Sequence, residues 1–375
     1  MIRKNASCLL WLGLVGCGVG LSACDSDSSD TETSVSDTGS DTSTDTSTDT
    51  DTDGTLSIDV DPTLFAEDAL VSEPEIVDCT LSDGTETSCY QFVTAGAPPT
   101  HEVGPFCPES IYSTADEAGI WLDGSGEVWD VDGDFILNLP NLYDDDNWQL
   151  YDPVSGDVYV TDTQEACEAA ARPDVDEAYQ NYCVECSVDY IDGGVSETWL
   201  IPVTPVAADA TGSLSAQIGL ALTGIHMTAS APVEDILANY TIAAFDDCGG
   251  HVNPTEGYHY HAATGCSEVA SSDDGHAGLI GYALDGYGIY GLLDADGNEP
   301  EGLDECRGQV DEVRGYHYHA AGAGENLFIG CFHGKTVEGV GETDVGGPEG
   351  LPTDGELPPD GVPPEGVPPE GAPPQ

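Results

Sequence analysis

The sequence predicts a mainly β fold: a disulfide-bridged, β-rich ectodomain with one or two short peripheral helices, between a disordered N-terminal linker and a disordered C-terminal tail. Three observations predict it. From about residue 55 to residue 337 the apolar residues come in short runs bounded by Gly, Asp and Pro, the punctuation of strands and tight turns. Thirteen cysteines occur in a chain that opens like an exported protein. And Gly257-Tyr258-His259-Tyr260-His261-Ala262-Ala263 returns as Gly315-Tyr316-His317-Tyr318-His319-Ala320-Ala321, alternating in residue type with the period of a strand.

Residues 1–23 read as a lipoprotein signal peptide. A basic start at Arg3-Lys4 precedes an apolar run from Cys8 to Leu21, too short to span a bilayer comfortably. Leu21-Ser22-Ala23-Cys24 resembles a lipobox, which makes Cys24 the expected lipidation site and the membrane, through that anchor, the expected partner. The mature chain is then expected outside the cytoplasm, in the periplasm or on the outer cell surface. Residues 24–54 are almost wholly Asp, Ser and Thr and cannot bury apolar area, so they read as an extended linker.

The globular stretch 55–337 is large enough for one large or two closely packed domains. Ile120-Trp121-Leu122, the run from Val128 to Leu137, Trp148 to Tyr151, Val158 to Val160 and Glu197 to Val203 read as strands, several joined by Asp-Gly turns. Two helices are expected, Thr163 to Ala171 and Val233 to Phe245, each near a proline. Asp294-Ala295-Asp296-Gly297-Asn298 reads as a β-turn, since the downstream Glu of a calcium loop is missing. Residues 338–375 repeat Gly-Val-Pro-Pro-Glu and read as a solvated tail.

Subtracting Cys8 and Cys17 of the leader and Cys24 leaves an even set of ten cysteines, enough for five bridges. The sequence-near pairs Cys79 with Cys89, Cys248 with Cys266, and Cys306 with Cys331 are the first expected. Cys183-Val184-Glu185-Cys186 has the spacing of a redox pair without the surrounding pattern of one, so structural bridging is expected there too. With 71 acidic against six basic residues the formal charge is −65, which excludes nucleic acid and anionic lipid surfaces as electrostatic partners. No phosphate loop and no Gly-x-Ser-x-Gly elbow is present.

The duplicated segment carries the chemistry. An offset of 58 residues superposes Tyr258 on Tyr316 and also Cys248 on Cys306, Gly250 on Gly308 and Val252 on Val310. On a strand His259 and His261 share one face, as do His317 and His319, with the tyrosines on the other. His-x-His on a strand can present two imidazoles to zinc, copper or iron, and two such pairs meeting would complete a nitrogen shell. His251, His276, His333 and Asp285 are further candidate ligands, while Gln309 stands where His251 would repeat. A packed, hydrogen-bonded core explains the same residues without metal, and both readings stand at this point.

These residues resemble the YHYH-domain family of exported bacterial proteins. The resemblance rests on Cys248-Gly249-Gly250-His251, both Tyr-His-Tyr-His segments, the run His276 to Gly291, Leu303 to Gly308 and Ile329 to Gly334, together residues 245–335; His101 to Phe106 and Gly219 to Ile225 look like outlying pieces. It implies an exported, β-rich, cysteine-bridged domain and no particular activity. Arg307 stands where that turn would take a small or amide residue. The leading expectation is a transition-metal-binding lipoprotein; the alternatives are a metal-free adhesion or envelope-interaction module and a metal-dependent extracytoplasmic enzyme, for which an open cleft at the histidines is the necessary observation.

Overall fold

Residues 48–50, 56–267 and 274–339 are described by the structure, a computed structural model. The expected signal segment, Cys24, most of the expected linker, residues 268–273 and the expected tail beyond 339 lie outside the described residues. Pairing begins inside the expected linker, where β1 (Thr48–Thr50) runs antiparallel to β2 (Leu56–Ile58). β3 (Glu75–Thr80) and β4 (Glu86–Val93) form a hairpin that the Cys79–Cys89 bridge closes. β5 (Ile120–Trp121) and β6 (Trp129–Asp130) pair as the aromatic runs suggest.

From there the expected strand to Leu137 gives way to helix α1 (Gly133–Leu142). The carboxylate of Asp132 accepts from the Phe135 amide at 2.8 Å and caps the first turn. Phe135, Ile136 and Leu139 then fall on one buried face. Alternating Asp residues imitate a strand only up to that cap. Trp148–Tyr151 and Val158–Val160 are likewise not strands; a single bridge joins Tyr151 to Val158. Helix α2 (Gln164–Ala170) lies where expected, capped by Thr163.

β7 (Cys183–Val184) precedes β8 (Thr198–Pro202), which pairs with β4 and completes a three-stranded sheet. β9 (Ala207–Gly212), β10 (Gln217–Ala221) and β11 (His226–Thr228) follow. Helix α3 (Val233–Ala238) stops well short of Phe245, because Tyr240 takes a left-handed φ of 56° and Ile242–Ala243 becomes β12, parallel to β7. The remaining strands are β13 (Gly250–Asn253), β14 (Gly257–Tyr260), β15 (Leu279–Ala283), β16 (Gly288–Tyr290), β17 (Gly308–Asp311), β18 (Gly315–His319) and β19 (Phe332–Gly334), the last pairing with β9.

Eight of these form one sheet in the order β13-β14-β11-β10-β15-β16-β18-β17. The order is a palindrome of two four-stranded halves. Each half joins an antiparallel hairpin (β10–β11, β15–β16) to a second hairpin (β13–β14, β17–β18) through a parallel contact. The halves meet at the antiparallel β10–β15 pair, where Leu220 faces Tyr282. The repeat is therefore longer than the histidine motif. Ala221-Leu222-Thr223-Gly224-Ile225-His226 corresponds to Ala283-Leu284-Asp285-Gly286-Tyr287-Gly288 at an offset of 62 rather than 58, since the connection between hairpins is four residues shorter in the second half.

All three expected bridges are formed, together with Cys107–Cys183 and Cys167–Cys186. Cys183 and Cys186 thus hold different partners and are not a redox couple. The core joins Trp121, Phe245 and Leu139 to the sheet residues Leu220, Tyr258, Ile289 and Tyr318, all buried.

Candidate metal centres

Each Tyr-His-Tyr-His strand is built from an aspartate that the sequence motif did not include. Asp246 accepts from the amides of Cys248 and Gly250 at 3.0 and 3.1 Å and from the Tyr258 hydroxyl at 2.8 Å. Asp304, 58 residues on, does the same for Cys306, Gly308 and Tyr316 at 2.9, 2.8 and 2.9 Å. The phenol rings lie across Gly250 and Gly308, where an added Cβ would sit 2.5 and 2.0 Å from the tyrosine oxygens. Glycine at these positions is a packing requirement. Burial raises the Asp246 carboxyl above its ordinary range, and the Tyr258 hydroxyl and backbone amides oppose that shift.

The turn leading into β13 places Gly249 at φ 75°, and its counterpart Arg307 adopts φ 69° despite its side chain. The guanidinium compensates, donating to the carbonyls of His319 and Ala320 at 3.0 Å each. So the unexpected arginine keeps the turn and ties it to the end of β18. His101 and Gly104, in the outlying piece, join the first half at Tyr258 and Asp246.

With the tyrosines held on one face, the histidines meet on the other. His251 lies directly opposite His259 across the β13–β14 ladder, and His261 is two residues further along. Nε2 of His259 stands 3.1 Å from Nε2 of both His251 and His261. Nδ1 of His259 donates to the Gly257 carbonyl at 3.1 Å and Nδ1 of His261 to the Ala229 carbonyl at 2.8 Å. Those bonds fix the tautomer, so two Nε2 lone pairs face each other with no proton between them. Zinc–nitrogen bonds of about 2.0–2.1 Å in a tetrahedron put donor atoms about 3.3 Å apart. The first trio is spaced for an ion.

In the second half the cross-strand position belongs to Gln309, opposite His317. A loop residue, His276, supplies the third imidazole, with Nε2 3.1 Å from Nε2 of His317. Nδ1 of His276, His317 and His319 donates to the carbonyls of Ala277, Gly315 and Gly291 at 3.1, 3.0 and 2.9 Å. The Gln309 amide donates to Nε2 of His319 at 3.0 Å. Arg314 holds the loop, pairing with Asp274 and Asp311 at 2.6 Å each.

Four imidazoles do not converge. The structure corrects that expectation: β14 and β18 are five inter-strand steps apart, about 24 Å along the sheet. The pairs instead recruit separate third histidines, giving His251, His259, His261 and His276, His317, His319. Asp285 and His333 belong to neither. Asp285 sits under β18 on the tyrosine side, accepting from the Tyr318 hydroxyl at 2.5 Å and the Gly334 amide at 2.8 Å. His333 stacks on Tyr316 with ring centroids 3.7 Å apart.

Burial holds His251, His317 and His319 at about 4, and His259 and His261 well below the ordinary imidazole range. Neutral rings are the form that binds metal. Sequence reasoning missed two neighbours of the first trio. Glu256 places Oε2 4.0 Å from His259 Nε2. His226 stacks on His259 at 5.3 Å, pairs through Nδ1 with Glu197 at 3.1 Å, and keeps Nε2 buried without a hydrogen-bond partner. Neither offered a signal in sequence: His226 has Gly288 as its counterpart and Glu256 has Arg314, so neither repeats.

The first trio lines a cavity of about 180 Å³ walled by Phe106, the α2–Pro173 turn, β7 and α3. The second borders a polar depression lined by Asp274, Asp294 and Arg314. Residues 198–301 match the family model described as YHYH protein. The matched segment holds the first centre entire, starts upstream of the resemblance read at 245–335 so that it includes β8, β10 and β11, and ends before His317. No curated protein and no solved structure matches the chain.

Proposed function

We propose that this chain, with its YHYH-family segment as the premise, is an extracytoplasmic lipoprotein that binds divalent transition metal at two three-histidine centres. Zinc, copper and iron(II) suit the donor set, since imidazole nitrogen is a borderline ligand that all three accept. The observation that supports this reading is the facing Nε2 pair in each trio, His259 with His261 and His276 with His317, whose Nδ1 atoms are each committed to a backbone carbonyl so that no proton lies between the two Nε2 atoms. Five bridges among the described residues suit a chain that folds outside the cytoplasm. Anchoring at Cys24 rests on the sequence alone, and no helix among the described residues is long and apolar enough to cross a membrane.

Mass spectrometric metal analysis of the purified protein after reconstitution with zinc, copper or iron tests the proposal. Wild type is expected to hold two ions per chain and His317→Ala/His319→Ala one. A folded wild type that retains less than one ion per chain sinks the idea. One observation favours the metal-free envelope module for the second half: the Gln309 amide already donates to His319, leaving that site better satisfied when empty.

A further inference from the structure

We infer that the first centre keeps its fourth coordination position for an uncharged small molecule with an apolar tail the size of a single ring. The inference rests on the metal-binding reading and gives it a ligand class. Three protein nitrogens leave a tetrahedral ion one position short, the arrangement of sites that bind an exchangeable group. Here the remaining direction meets a cavity on whose wall all three imidazoles lie.

The tail follows from the lining. Phe106, Val175, Val184, Pro232 and Ile236 present apolar surface, and a cavity of about 180 Å³ is comparable with the engineered dry cavity of about 150 Å³ that accepts benzene. The walls are preformed. The Cys167–Cys186 bridge ties α2 to the chain just after β7, and Cys107–Cys183 ties β7 to the segment carrying Phe106. The charge follows from the lining, where Glu185, Asp235 and Glu256 outnumber Arg172. An anionic tail is repelled there. Glu256, 4.0 Å from His259 Nε2, is placed to accept a hydrogen bond from an N–H or O–H of a group held at the ion.

The second centre is an internal control. Gln309 brings a fourth polar group beside its imidazoles, Arg314 takes the place of Glu256, and the adjoining depression is polar. The two halves share a backbone plan but, among the described residues, the first borders an apolar cavity and the second a polar depression.

The test uses the cobalt(II)-loaded protein, with cobalt content measured first, and follows the visible ligand-field spectrum during titration with imidazole, 4-phenylimidazole and benzoate. In wild type and in His317→Ala/His319→Ala, 4-phenylimidazole is expected to bind about tenfold or more tightly than imidazole, the gain from burying one ring, and benzoate more weakly than 4-phenylimidazole. Ile236→Trp and Val175→Trp, which fill the cavity from different walls, are expected to abolish the preference while retaining cobalt. Equal affinities for the two imidazoles, tighter benzoate binding, or a preference that survives in both filled variants overturns the inference and leaves the metal reading standing. A folded protein that takes no cobalt at the first centre overturns both.

Discussion

Single residues decide whether this motif folds, and Arg307 is the sharpest case. It holds a backbone conformation costing about 1 kcal/mol for a side chain with a Cβ, in exchange for two charge-assisted hydrogen bonds to the end of β18. Arg307→Ala keeps the strain and loses the bonds; Arg307→Gly loses the bonds and the strain. We expect the alanine variant to be the less stable by about 1 kcal/mol in denaturant titration. Equal stabilities would mean that the turn relaxes.

The imidazoles set a pH dependence at the same scale. In the metal-free protein His251, His317 and His319 accept protons only near pH 4, whereas in the unfolded chain they do so near about 6.5. Between those values the unfolded state binds more protons, so this contribution to stability is lost as pH falls through that window. Asp285, raised by burial to about 6, acts with the opposite sign. Ring-proton NMR of the chelated protein separates them: these histidine resonances should stay put down to about pH 5, and titration near the ordinary imidazole value would contradict the buried trios.

At the level of elements, the hairpin is the unit that presents a metal. Gly250→Ala or Gly308→Ala forces the overlying phenol away from its aspartate. Each should cost about 2–4 kcal/mol and lower metal occupancy in its own half only, as read by metal analysis of each variant. The halves should also release metal in order. Because Gln309 satisfies His319 in the empty second centre, a graded chelator should strip that centre before the first; simultaneous release of both ions would count against the difference.

Much of this was legible in the sequence, for stated reasons. Strand alternation put His259 beside His261, and spacing alone paired Cys248 with Cys266 and Cys306 with Cys331. What stayed hidden was non-local. No pattern shows that His276 crosses to His317, because that contact comes from sheet order; Asp246 did leave a signal, its recurrence as Asp304 at the same offset of 58, which the reading of the motif passed over. Helix α1 was hidden by the alternation of Asp residues that ends at its own cap. The hairpin Ala221–His226 escaped as a repeat because its offset differs by four residues from that of the histidines.

For the whole molecule, the separation of the centres sets their thermodynamics. At about 24 Å along the sheet, beyond two Debye lengths at physiological salt, two divalent ions should bind without cooperativity. Isothermal titration of wild type should therefore equal the sum of the two single-centre variants, and a departure larger than about 1 kcal/mol would reveal coupling through the sheet.

The meeting of the halves at β10 and β15 also bears on ancestry and assembly. Leu220 and Tyr282 face each other across a local two-fold, so each half fills the sheet edge that the other leaves open. A shorter protein with one half could bury that edge by pairing with its twin, and such a homodimer would reproduce this sheet strand for strand. In a single chain the two halves need not be identical. The two halves differ accordingly, with His251 opposite His259 on one side and Gln309 opposite His317 on the other.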